Sequence, residues 1–230
     1  MAFPFTHLNV AFRVLKSRPL SETDAAQFLL GSVAPDAIHY RAEFLGAEMA
    51  KIGAAKKITH LCPVSNERWG EVTDNDGWIN CVKNFLASNP GPLSAGYAVH
   101  VLTDIQNNRT LWHSFRTNYP EEAAKGYTSR YYDDLRAIEM HLYKRLTESP
   151  HIMRLLAKGV PDKIPGLTLK EELRAIQNNL LHEHFKTAAS SSYTYEYSFI
   201  SPDDMLTFID DAVSFSAEIL INTNLPSRGD

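Results

Sequence analysis

At 230 residues, 44% hydrophobic and 22% charged, the chain can bury one sizeable core, and a single domain is the expectation at this length. Net charge is −4 with no run of Lys or Arg, which argues against a broad nucleic-acid surface; a small pocket for phosphate esters, with a metal supplying the positive charge, stays open. No apolar run reaches the ~18 residues of a membrane span, MAFPFTHLNVAFRVLKSRP lacks a signal-peptide pattern, and Cys62 and Cys81 form no CxxC, so a cytoplasmic chain with two buried thiols is expected.

The periodicity predicts a first helix over Thr6–Lys16 with Thr6 as its cap, and a second announced by Ser21 and Asp24 that carries AAQFLLGSV to Pro35. Pro35 disfavours helix at the residue before it, which leaves Asp36 at a helix-to-loop junction. From Ala47 to Asp74 the pattern weakens and reads mostly as loop around ITHLCPVSNERWG. Helices follow over Asn75–Ser88, Leu93–Trp112 and Pro120–Glu148, the first ended by Asn89-Pro90-Gly91-Pro92. Thr168 and Glu171 read as a capping box before the stripe Leu169, Leu173, Ile176 and Leu180. Ser201-Pro202-Asp203-Asp204 opens a last helix, with Pro at its first position and acids in its first turn. SSSYTYEYSF alternates like a strand but is short and flanked by helices, so the expected architecture is an all-α bundle.

His100 and Asp104 stand four apart, on one face of the Leu93–Trp112 helix, where both can reach a single ion. With nine histidines and 27 acids, about one such pair is expected by chance, and His39/Glu43 is a second match, so spacing alone decides nothing. Context does more. Ala98, Val99, Val101 and Leu102 surround the pair, which implies a buried helix, and a buried Asp needs a partner or a metal. A surface ion pair and a His–Asp hydrogen bond in the core are the plain alternatives. Asp36 follows an apolar helix end, where an acid also commonly begins a turn. His60, between Ile58 and Leu61, and His7, with Val10, Ala11 and Val14 at helical spacing, each read as inward-facing histidines. Together the five make a His/Asp set that borderline metals such as zinc select.

These residues lie in four stretches, THLNVAFRVL, FLLGSVAPDAIHY, THLCP and GYAVHVLTDIQNN, whose order resembles the zinc-dependent phospholipases C, a fold shared with the zinc nucleases of single-stranded nucleic acid. The resemblance covers the first half of the chain. It implies that Asp36, His60, His100 and Asp104 complete one metal site, with Asp36 also placed to orient or deprotonate the attacking water. It implies further that Asp104 bridges toward a second ion held by His7, and that the reaction is phosphate-ester hydrolysis by a metal-held hydroxide. The family's further site draws on His and Glu downstream; here IQNNRTLWHSF offers only His113, so one or two zinc ions are expected.

Arg109, one turn beyond Asp104, is the candidate for binding substrate phosphate, since its fork suits phosphate oxygens. Asn107 and Asn108 are candidates for outer contacts to a metal ligand, and Trp112 for closing the site. His182 and His184, two apart on a helix, point in different directions and read as a polar helix end. Tyr127, Tyr131 and Tyr132 with Arg130 read as packing between helices or as a pocket wall. The expected function is hydrolysis of a soluble phosphate ester; the alternative is a non-catalytic helical binding or scaffold protein that retains a structural metal.

Overall fold

The computed structural model describes residues 3–45, 49–63, 72–186 and 195–221. The regular elements among them are helical, apart from an isolated antiparallel bridge between Ile164 and Thr168. None of these helices is long and apolar enough to cross a membrane.

Helix α1 spans Pro4–Ser17, with Pro at its first position and Phe3 outside it. Thr6 therefore lies inside the first turn rather than capping it, and its hydroxyl faces Met205 Sδ at 3.8 Å. Helix α2 spans Glu22–Gly31 and starts as expected, with the Asp24 N–H donating to Ser21 Oγ. It ends at Gly31, and a 3₁₀ turn over Ala34–Tyr40 carries Pro35 and Asp36. Helix α3, Met49–Thr59, occupies ground expected to be loop. Only two of its residues are large aliphatics; Ile52 is buried and Ile58 exposed, so it carries almost no amphipathic signal.

Helix α4 spans Asn75–Ser88 and is capped by Asp74, whose Oδ1 accepts the Gly77 N–H at 2.8 Å. Helix α5, Pro92–Arg109, stops three residues short of the expected end; Thr110 leaves the helical region and α6, Leu111–Asn118, begins. The long helix expected over Pro120–Glu148 is divided. A single turn α7, Pro120–Ala123, precedes a 3₁₀ turn over Gly126–Thr128, where Gly126 takes φ +57°, and α8 then runs Arg130–Arg145. Helix α9, Ser149–Lys158, was not anticipated.

Helix α10, Lys170–Asn179, begins one residue later than its motif suggested. The Thr168 hydroxyl donates to Ala34 O, while the Leu169 N–H donates to Glu172 Oε2 at 3.0 Å, so Glu172 rather than Glu171 closes the cap. Leu169 is correspondingly exposed, and Leu173, Ile176 and Leu180 carry the buried stripe. The helix continues as a π turn over Leu180–His184. Helix α11, Pro202–Leu220, opens on a reciprocal cap between Ser201 and Asp204. Of SSSYTYEYSF, residues 190–194 lie outside the described residues, and 195–199 are irregular rather than extended in a strand. That segment is anchored by buried Asp134, which accepts the N–H groups of Ser198, Phe199 and Ile200 and the Tyr195 hydroxyl.

Helix α5 is the axis of the fold. It is buried on nearly every face and packs against α1, α2, α4 and α11, as its apolar surroundings predicted. Its crossing with α2 is backbone to backbone. A Cβ on Gly96 would lie 1.8 Å from Phe28 O, and one on Gly31 would lie 2.0 Å from Leu93 O. Two glycines thus permit the contact that sets the end of α2 against the middle of α5. Cys62 and Cys81 are not joined in a disulfide and are partly rather than fully buried.

Candidate metal centre

The α2–α5 crossing places Ser32 beside His100, and the Ser32 carbonyl accepts the His100 Nδ1–H at 2.8 Å. His60, just beyond α3, is held the same way, with Nδ1 at 2.9 Å from Lys56 O. Around it the backbone is pinned by Trp78 Nε1 donating to His60 O at 2.7 Å and by the Tyr97 hydroxyl donating to Thr59 O. Carbonyl oxygens only accept, so both histidines carry their proton on Nδ1. Their Nε2 lone pairs face each other at 3.2 Å. Burial pushes the His60 ring down to about 4, Asp36 offsetting only part, so no second proton fills the gap at neutral pH.

Two carboxylates close around these nitrogens. His60 Nε2 is 3.5 Å from Asp36 Oδ1 and 3.6 Å from Asp104 Oδ2. His100 Nε2 is 4.0 Å from Asp36 Oδ2 and 3.6 Å from Asp104 Oδ2. The His100–Asp104 pair is thus neither on the surface nor hydrogen-bonded directly, so neither plain alternative describes it. Donors bound to one tetrahedral ion at about 2.0–2.1 Å stand about 3.3 Å apart. The observed separations match such an arrangement, and the backbone carbonyls on the far nitrogens are the outer contacts that metal-ligating histidines use. This buried His/Asp cluster could hold a metal ion.

His7, on α1, stacks on His100 with ring centroids 3.6 Å apart and an interplanar angle of 10°. The lone pairs of stacked rings lie in separate, near-parallel planes, yet one ligand atom each of His7, His100 and Asp104 falls within 4.8 Å of the others, so these three form a second group that could hold an ion beside Asp36, His60 and His100. His7 Nε2 points toward the other Asp104 oxygen, Oδ1, at 3.7 Å. Neither His7 ring nitrogen has a hydrogen-bond partner among the described residues. Burial, and then the neighbouring His100, push His7 down to about 3, so it stays neutral. A buried imidazole without hydrogen bonds is unfavourable, and a cation between His7 and Asp104 would relieve it.

A cavity of about 480 Å³ lies against this cluster, within the range of small-molecule sites. Asp36 is the ligand candidate that lines it; His60, His100 and Asp104 stand behind. Beside Asp36 the cavity presents Lys56, nearly fully buried, whose ammonium donates to Asp36 Oδ1 at 2.8 Å and approaches His39 Nε2 at 3.1 Å. Burial alone would raise the Asp36 carboxyl, but the Lys56 ammonium beside it holds it well below the usual range. Burial and the Lys56 charge lower His39, which accepts from Lys56 as a neutral ring.

Tyr40, Tyr127, Tyr132 and Phe3 make the cavity largely aromatic, with Arg136, Asn179 and His184 adding polar groups. Tyr127 and Tyr132 are therefore wall residues, while Tyr131 does the packing, stacked on Phe115 at 4.2 Å. His184, in the π turn, lines the cavity with Ile176, Asn179 and Leu180. Glu139 grips its Nε2 at 3.0 Å; burial pushes the ring down, but that bond and the Glu139 charge together raise it above its ordinary value.

Of the predicted site residues, His7, Asp36, His60, His100 and Asp104 are brought together. Arg109 is not. It lies exposed at the end of α5, its guanidinium over the Phe215 ring at 5.3 Å, away from the cavity lining. Trp112 packs in an aromatic group with Phe115, Tyr131 and Tyr132 and does not line the cavity. Asn108 ties α5 to Val72 O and Asn75 Oδ1, and His113 is exposed. Sequence reasoning missed Lys56, His39, Arg136 and His184; a lysine in a weakly patterned helix reads as surface charge. The chain matches no known protein-family model, no curated protein and no solved structure.

Proposed function

We propose that the chain is a metal-dependent hydrolase of phosphate esters, of the zinc phospholipase C-like type, with Asp36, His60, His100 and Asp104 as ligands of one zinc ion. One observation carries this reading. Two imidazoles with their protons committed to backbone carbonyls turn bare Nε2 atoms toward each other and toward two carboxylates, at the back of a cavity. Such a set is unfavourable without a cation and well suited to one. A bound zinc would polarise a phosphoryl oxygen and make a water acidic enough to act near neutral pH.

The chain's own groups have separable roles. Asp36 is the ligand at the cavity surface and is held ionised, which suits it to bind the ion and to orient the attacking water by accepting a hydrogen bond from it. Ser32 O and Lys56 O fix the tautomers of the two histidines. His7, with Asp104 Oδ1, offers a weaker position for a second ion. The aromatic walls would exclude water and hold the organic part of a soluble ester that fits the cavity.

A second reading, a binding or scaffold protein with a structural metal, draws on the pairing of Asp36 with Lys56 and on four protein donors that would close a tetrahedral shell. Chromogenic phosphate mono- and diesters, assayed with and without added zinc, separate the two. Zinc-dependent turnover that vanishes in Asp104→Asn along with the metal is the expected result. Full metal content in that variant would remove the ligand assignment, and absent turnover by a zinc-loaded chain would leave the scaffold reading.

A further inference from the structure

We propose that Lys56 is the second cation of the site, and that it holds one oxygen of a phosphate or phosphoryl group from the cavity side of Asp36. This deepens the proposed function and rests on its reading of the cluster as a metal centre.

Lys56 joins the two halves of the arrangement. Its carbonyl accepts the His60 Nδ1–H, and so orients a ligand candidate. Its ammonium, at the far end of the same residue's side chain, emerges at the cavity. Asp36 Oδ1 is shared between the two sides, 3.5 Å from His60 Nε2 and 2.8 Å from Lys56 Nζ. A carboxylate placed this way faces the cluster with one edge and the ammonium with the other. In two-metal hydrolytic sites a bridging carboxylate does the same between two ions that clamp the reacting oxygens. Here an ammonium occupies the outer of the two positions.

The cavity suits an anionic ligand: Lys56 and Arg136 both line it, and a divalent ion held by the cluster behind Asp36 would add to that positive field. A purely structural Lys–Asp pair would have no need to line a cavity. Nor would it need His39, whose Nε2 keeps the ammonium aimed along the wall. Burying an ammonium is unfavourable unless it is paired, and here the Asp36 carboxylate that pairs it also borders the metal cluster.

The test compares the wild-type chain with Lys56→Gln and Lys56→Met, each loaded with zinc. Metal content is read by elemental analysis, and binding of inorganic phosphate by titration calorimetry at fixed ionic strength. Both variants are expected to fold and keep their zinc, because the ion compensates Asp36. Both should bind phosphate roughly ten- to a hundredfold more weakly, the effect of losing one charge-assisted hydrogen bond. Equal phosphate affinity in wild type and variants overturns the proposal, as does absence of phosphate binding by the zinc-loaded wild type. Failure of both variants to fold in the presence of zinc assigns Lys56 to the fold and also overturns it. Lys56-dependent phosphate binding without turnover of any ester leaves this proposal standing and removes the hydrolase reading. A chain that takes up no metal removes both.

Discussion

Replacing Gly96 by Ala tests whether the helix crossing at the centre of the fold also sets the metal centre. The added methyl would lie 1.8 Å from the Phe28 carbonyl oxygen and 2.8 Å from its carbon, where about 3.2 Å is comfortable. The obstacle is backbone in the middle of a helix, so no side chain can swing aside. Helices α2 and α5 must separate by about 1 Å or more, along a crossing that also relies on Gly31 against Leu93 O. Overpacking a core ordinarily costs about 1–3 kcal/mol, and this contact belongs at or above the top of that range. For a chain of this size, about 3 kcal/mol lowers Tm by roughly 6–12 °C. The same displacement would stretch the 2.8 Å bond from His100 Nδ1 to Ser32 O, and loss of such an outer contact weakens metal binding about ten- to a hundredfold. Gly53→Ala in α3 is the control: nothing lies within 4 Å of the added Cβ, and a gain of about 0.5–1 kcal/mol is expected. Urea unfolding and competitive zinc titration read both effects. A Gly96→Ala chain with wild-type midpoint and zinc affinity would refute the proposed link between crossing and site.

Asp134→Ala leaves the Ser198, Phe199 and Ile200 N–H groups without their acceptor, and a loss of about 3 kcal/mol is expected, with faster amide exchange confined to residues 195–200. Unchanged exchange there would show the carboxylate is dispensable. In metal-free protein, His7 and His60 titrate near 3 and 4 against about 6.5 when unfolded, so the unfolded chain binds more protons between those limits. Stability is then full above about pH 6.5 and falls by about 1.4 kcal/mol per histidine for each unit of pH lowered toward 4. Denaturant unfolding between pH 7 and 4.5 checks this; zinc-loaded protein should be more stable throughout by its binding free energy, with a similar slope, and the absence of that offset would contradict a metal at these residues.

Much of the site was legible because polar residues inside apolar stretches carry their own signal. His100 and Asp104 sit in a helix apolar on nearly every face, and Asp36 follows a proline just beyond the apolar end of α2. What closes the cavity left no such trace. Helix α3 buries Ile52 but exposes Ile58, and it matters for where it puts Lys56, which periodicity cannot register. His184 read, with His182, only as part of a polar helix end; taken alone it stands four residues beyond Leu180 and follows that stripe to the cavity. Arg109 satisfied the spacing for a phosphate ligand, yet Phe215 of α11, more than a hundred residues away, captures it. Thr168 failed as a cap because Ala34 O, still farther away in sequence, takes its hydroxyl proton. Local pattern locates elements; long-range partners decide which residues of an element face the site.

The central claim is the metal centre, and elemental analysis of untagged protein, as purified and after zinc reconstitution, tests it most directly. One equivalent of zinc, or two if the His7–Asp104 position also fills, lost on His100→Ala while the chain stays folded, is the expected result. No metal after reconstitution, or full metal retained by His100→Ala, would contradict it.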